Sequence, residues 1–88
     1  MTANYSVTFK PSAAKELRKI NKNDQTRIAK KIQELASNPY PPGTKKIVGG
    51  DGELRLRVGN YRVIYAVEEG RLIILVLTIG HRREVYKN

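Results

Sequence analysis

Residues 53–67, ELRLRVGNYRVIYAV, decide the fold. Glu53-Leu54-Arg55-Leu56-Arg57-Val58 alternates polar and apolar at every step, the period of a strand that buries one face. Gly59-Asn60 supplies a two-residue hairpin turn, and Tyr61 to Val67 returns as a second strand. With the turn there, Val58 faces Tyr61, Arg57 faces Arg62, Leu56 faces Val63 and Arg55 faces Ile64. Cross-strand partners share a face, as do residues two apart along a strand. Arg55, Arg57 and Arg62 therefore project from one side of the sheet. Leu54, Leu56, Val58, Tyr61, Val63 and Tyr65 project from the other. A one-residue slip in the turn would flip one strand and dissolve this grouping.

Outward from the hairpin, Glu68-Glu69-Gly70 turns again, and Arg71 to Ile79 reads as a third strand. Its nearly continuous apolar character predicts a central strand covered on both faces. Upstream, residues 4–9 read as a short strand. Pro11 suits the first turn of a helix running to about Ile20, with Ala14 and Leu17 on one face and Lys15 and Arg18 on another. Asn23 is the expected N-cap of a second helix, with Asp24 at its positive end. Ile28, Ile32 and Leu35 recur at i, i+4 and i+7, and the helix must stop before Asn38-Pro39-Tyr40-Pro41-Pro42-Gly43. The expectation is an α+β domain over residues 1–88: an N-terminal strand, a helical hairpin packed on one sheet face, then an antiparallel β-meander.

At 88 residues without cysteine, neither a disulfide nor a zinc-thiolate site staples the chain. A domain this small buries only about 60% of its unfolded surface, so its stability should be marginal. The lack of cysteine fits a reducing cytoplasm. No secretory leader is visible in MTANYSVTFK, and the longest apolar run, Leu72 to Leu77, falls far short of the ~20 residues that cross a membrane. The expected location is the cytoplasm, without a membrane partner. Seventeen Lys and Arg against eight Asp and Glu give a net charge of +9. A domain this basic meets nucleic acid, an acidic protein or an anionic surface, or is basic only for solubility.

Placing Arg57 opposite Arg62 costs stability, because like charges directly across a ladder repel. Two readings follow: an anion site, or a solvated face on which Glu53 is a partial counter-charge. After Gly80 come His81, Arg82, Arg83 and Tyr86, which can curl back over the arginine face. Alone, a histidine is usually a surface residue and a C-terminal tyrosine a packing residue. Together with the arginines they would place a base, an acid and several cations in one concavity. RNA cleavage needs that set. The 2′-OH attacks its own adjacent phosphate, so the protein supplies no nucleophile, only proton transfer and positive charge at the phosphorane. No acidic cluster for magnesium, no His/Cys set for zinc and no Walker motif is evident, since Gly49-Gly50-Asp51-Gly52 lacks the lysine, serine and following helix. No metal and no cofactor is expected.

Two blocks, Leu54-Arg55-Leu56-Arg57-Val58-Gly59-Asn60-Tyr61-Arg62-Val63-Ile64-Tyr65 and Ile79-Gly80-His81-Arg82-Arg83-Glu84-Val85-Tyr86, resemble the RelE/ParE superfamily of bacterial and archaeal toxins. The opening strand and helical hairpin match as well, so the likeness covers nearly the whole chain. The resemblance implies a microbial-ribonuclease-like fold. For the RelE branch it implies cleavage of mRNA at the ribosomal A site and inhibition by an antitoxin encoded beside the toxin. Arg62 matches the arginine that contacts the scissile phosphate. Arg82 matches the basic residue given acid or phosphate duty, and Tyr86 the tyrosine that positions or stacks on the nucleotide. Arg55 matches a lysine of well-known members, whereas Glu53 falls where they carry another lysine. That departure leaves His81 or Glu53 to supply the base, or leaves a less active site. Arg57 and Arg83 are further expected phosphate contacts. The ParE branch, which poisons DNA gyrase without cutting RNA, is the rival within the superfamily. A basic module that only grips RNA or an acidic protein is the rival from another class. The expected partners are mRNA, the ribosome and an acidic, amphipathic antitoxin segment, the last in a toxin–antitoxin hetero-oligomer.

Overall fold

In the computed structural model, which describes residues 4–81, the chain runs β1 (Ser6–Phe9), α1 (Pro11–Arg18), α2 (Lys22–Leu35), β2 (Lys45–Lys46), β3 (Leu54–Val58), β4 (Tyr61–Glu68) and β5 (Ile73–His81). The strands form one five-stranded sheet in the order β1-β5-β4-β3-β2. Both helices lie on the same side of it, as an α+β architecture requires. Ala13, Ile28, Ile32 and Leu35 from the helices bury against Leu54, Leu56, Val58, Val63, Tyr65, Ile74, Val76 and Ile79 from the strands. The apolar stripe of α2 and the apolar face of the hairpin are thus the two halves of one core.

The hairpin register is the one the alternation predicts, with Leu54↔Tyr65, Arg55↔Ile64, Leu56↔Val63, Arg57↔Arg62 and Val58↔Tyr61. Gly59 takes φ +58° at the first central position of the turn, the conformation a two-residue hairpin loop needs there. The guanidinium of Arg27 lies over it, so that a Cβ at this position would come within 2.8 Å of Arg27 Nη2. A side chain at residue 59 would strain the backbone and push the mobile Arg27 guanidinium aside.

Four details differ from expectation. The meander is antiparallel, but β1 adds parallel to β5 through Ser6↔Ile73, Val7↔Ile74, Thr8↔Leu75 and Phe9↔Val76, so the sheet is mixed. The N-cap of α2 is Asn21, not Asn23: Asn21 Oδ1 accepts from the Asp24 amide at 2.9 Å, satisfying one of the free N–H groups of the first turn. The α1 residue sunk in the core is Ala13, one position before the expected Ala14. Finally, β5 begins at Ile73 rather than Arg71, because Leu72 sits at φ +55°, a left-handed conformation that no strand can contain.

Nor is β5 covered on both faces. Ile74, Val76 and Ile79 are buried beneath the helices, whereas Ile73 and Leu75, on the other face, remain half-buried. Two short consecutive helices cover one side of the sheet, and among the described residues no helix covers the face bearing the arginines.

Candidate functional site: an arginine face on the open side of the sheet

Strand alternation delivers Arg55 and Arg57 from β3 and Arg62 from β4 to this open face. Among the described residues Arg62 is the charged side chain the fold buries, at 4% exposure, while Arg55 is half-buried and Arg57 exposed. Its cross-strand neighbours are Arg57 on one side and Gly80 on the other. Gly80 presents no side chain, which leaves room for a long one beside it. Taking a guanidinium out of water is expensive, and setting it opposite a second arginine adds to the cost. The paired guanidinium groups make this face strongly positive, a field that attracts anions.

A concavity of about 360 Å³ opens on this face, walled by Pro42, Gly43, Lys45, Arg55, Leu56, Arg57 and Arg62. Lys45 is the residue sequence reasoning missed. It pairs with Arg55 across the β2–β3 ladder and so shares its face, whereas Lys46 pairs with Leu54 and points the other way. A two-residue strand is too short for alternation to register. The remaining signal was a basic pair between a proline-rich stop and a strand.

The proline-rich segment is fixed from behind. The Tyr65 hydroxyl donates to the Pro39 carbonyl at 2.5 Å in the buried layer, and the Tyr40 hydroxyl donates to the Glu69 carboxylate at the surface. That carboxylate holds the Tyr40 phenol up at about 12, while burial raises Tyr65. These two contacts anchor the segment that lends Pro42 and Gly43 to the site wall.

His81 does not join the arginines. It pairs with Tyr61, whose side chain packs toward the helices, and the two rings meet edge to face at 5.6 Å and 77°. His81 therefore lies on the helix side of the sheet, in a separate groove of about 490 Å³ with Glu16, Lys19, Ile20 and Asn21. The expectation of a single concavity containing it is corrected by strand parity: Gly80 takes the open face beside Arg62, so the next residue takes the other. Burial and the neighbouring Asp24 carboxylate raise the Tyr61 phenol.

Glu53 has a structural commitment. Its carboxylate Oε1 accepts from the Asp51 amide at 2.7 Å, and its carbonyl accepts from the Ile47 amide at 3.0 Å. It staples the loop through Gly49-Gly50-Asp51-Gly52 instead of standing among the guanidinium groups as their counter-charge. Arg82, Arg83 and Tyr86 lie outside the described residues. Among the described residues no helix is long and apolar enough to cross a membrane.

A two-helix layer over one side of a small mixed sheet, with a cationic open face, is the architecture of a class of small bacterial and archaeal toxins. The chain belongs to the RelE/ParE superfamily of type II toxin–antitoxin systems: the family model described as ParE toxin of type II toxin-antitoxin system, parDE, matches residues 7–86. A RelE-like toxin protein of Escherichia coli is 34% identical over 79 residues, covering 89% of this chain and 83% of the relative. The mRNA interferase toxin RelE of Escherichia coli K12 is 29% identical over 85 residues, covering 93% and 90%. Among solved structures, the archaeal RelE–RelB complex of Pyrococcus horikoshii superposes with a TM-score of 0.80 at 27% identity, covering 90% of this chain and 96% of that one.

Proposed function

We propose that this toxin is an endoribonuclease that cleaves mRNA at the ribosomal A site without a metal ion. The observation that carries the reading is Arg62, a buried cation lining a concavity together with Arg55 and Arg57. In the proposed reaction the 2′-oxygen attacks the adjacent phosphorus and the bond from phosphorus to the 5′-oxygen breaks. The 2′-OH loses its proton to a base and the departing 5′-oxygen gains one. Negative charge grows on the non-bridging oxygens, and a desolvated guanidinium fixed in advance stabilises it more than a solvated one does. Arg55 and Arg57 hold the flanking backbone. By the family resemblance Arg82 serves the leaving group or the phosphate, Arg83 adds a phosphate contact and Tyr86 stacks on the nucleotide. Among the described residues Arg55, Arg57 and Arg62 bring positive charge to this face, and charge stabilisation is their proposed contribution to the rate. The mRNA interferase name of one relative supports the same reading.

The antitoxin partner belongs to this proposal too. The open face sets half-buried Ile73 and Leu75 on the same side as the arginines, a surface suited to an acidic, amphipathic segment. Solved relatives with bound RelB support a toxin–antitoxin hetero-oligomer.

The experiment is cleavage of mRNA on programmed ribosomes with end-group analysis. The expected products carry 2′,3′-cyclic phosphate or 3′-phosphate, with a 5′-hydroxyl on the other fragment. Fragments ending in 3′-OH would overturn the mechanism. A second reading, gyrase poisoning, is favoured by the ParE description of the matching family model. It predicts gyrase-dependent DNA breaks and intact RNA.

A further inference from the structure

Lys45 sits on the rim of the arginine concavity, delivered there by a strand of two residues. Its Cα partner is Arg55, so its side chain leaves the sheet on the open face, and the same wall contains Arg57 and Arg62. Unlike Arg62 it is exposed. An ammonium held in water at a rim is poorly placed to stabilise charge developing inside, where desolvation gives the effect its strength. It is well placed to hold a phosphate that stays charged throughout, one nucleotide along the strand. Across the ladder the next residue of β2, Lys46, pairs with Leu54 and takes the opposite side, so two adjacent lysines have different surroundings and only one faces the concavity. Glu53 is Lys45's diagonal neighbour on the open face, because Ile47, two residues after Lys45, hydrogen-bonds to it across the ladder. Its carboxylate is turned into the Asp51 loop, which keeps an anion away from Lys45.

We propose that Lys45 is a substrate-positioning residue that grips a backbone phosphate adjoining the scissile one. The proposal rests on the ribonuclease reading for its substrate. Its chemistry, an ammonium on the phosphate of single-stranded RNA, is testable apart from cleavage.

Two measurements separate the possibilities. The first is the affinity for a single-stranded, 2′-O-methylated RNA oligonucleotide, which cannot be cut, across a range of salt. Lys45→Ala should bind about tenfold more weakly, the scale of one lost hydrogen bond to a charged group. The slope of log affinity against log salt should fall by about 0.7, the value for one contact on a single strand. Lys46→Ala should do neither, and Lys45→Arg, which keeps a cation at the same place, should retain most of the affinity. The second is single-turnover cleavage: Lys45→Ala should raise the half-saturating concentration and leave the saturated rate within about twofold, as removal of uniform binding does. Equal losses for Lys45→Ala and Lys46→Ala, or a saturated rate that collapses in Lys45→Ala, would overturn the proposal. If the wild-type protein cuts no RNA while the binding pattern holds, the ribonuclease reading fails and the phosphate contact stands.

Discussion

Arg57 and Arg62 stand directly opposite each other across the β3–β4 ladder, one exposed and one at 4% exposure. Two like charges in that relation destabilise the hairpin. Replacing the outer one with threonine, a good strand former, should therefore raise stability by about 0.5 kcal/mol. For a domain of this size that is a rise of roughly 2–4 °C in Tm. RNA affinity should fall in the same variant. A calorimetric Tm at or below the wild-type value would mean that the pair does not repel.

The inner arginine is expected to matter for the chemical step. Arg62→Ala should slow single-turnover cleavage by about 10²–10³-fold, or ~3–4 kcal/mol, with a smaller effect on binding. Arg62→Lys should recover only part of this, since a point charge replaces a planar fork of donors. Cleavage by Arg62→Ala at the wild-type rate would remove the proposed centre of the site.

For His81 the expectation follows from strand parity. It lies with Tyr61 on the helix side, away from the arginines, so His81→Ala should cut RNA within a few-fold of wild type. The pH–rate profile should also keep its shape, because the imidazole lies across the sheet from the arginines. A hundredfold fall with loss of one limb of the profile would show that the end of β5 turns over when substrate binds.

Tyr65 couples alkaline stability to the site wall. Its phenol is raised above 10.0 by burial, and it donates to the Pro39 carbonyl. A group that holds its proton more tightly when folded contributes stability that is intact below its unfolded pKa and lost as pH climbs through the folded one. Unfolding should become easier above about pH 10, the ordinary phenol value, with a smaller share from Tyr40, which is raised to about 12 but is half exposed and so screened. Tyr65→Phe should cost about 1 kcal/mol near neutrality by stranding the Pro39 carbonyl, and should flatten the alkaline limb. Denaturant titrations at neutral and alkaline pH check both; a limb as steep as wild type in Tyr65→Phe would assign it elsewhere.

The hairpin is legible because its alternation is strict and its turn leaves one register, so the sequence alone places all three arginines on one face. The helical stripe of Ile28, Ile32 and Leu35 was legible for the same reason at the helical period. What the residues did not disclose was long-range. Four residues of β1 carry no mark of a parallel partner, and an apolar run such as β5 reads the same whether one face or both are covered. His81 was misplaced because an expectation of convergence overrode the parity that had placed Arg62 correctly. Lys45 was missed because two residues have no period, and Glu53 was read for its charge when its backbone neighbours decide what that charge does.

The parallel pairing of β1 with β5 also sets an order of assembly. The first strand of the sheet can dock only on the last, and β5 is flanked by both β1 and β4. Until residue 73 and its successors are available, β1 has nothing to pair with and β4 lacks its inner neighbour, so no N-terminal portion of the chain contains a finished sheet. Sequence-distant closure of this kind makes the pairing of β1 with β5 a late event in folding. A chain cut short before β5 would thus lack the strand that joins β1 to the hairpin, and neither half of the sheet could close on the other.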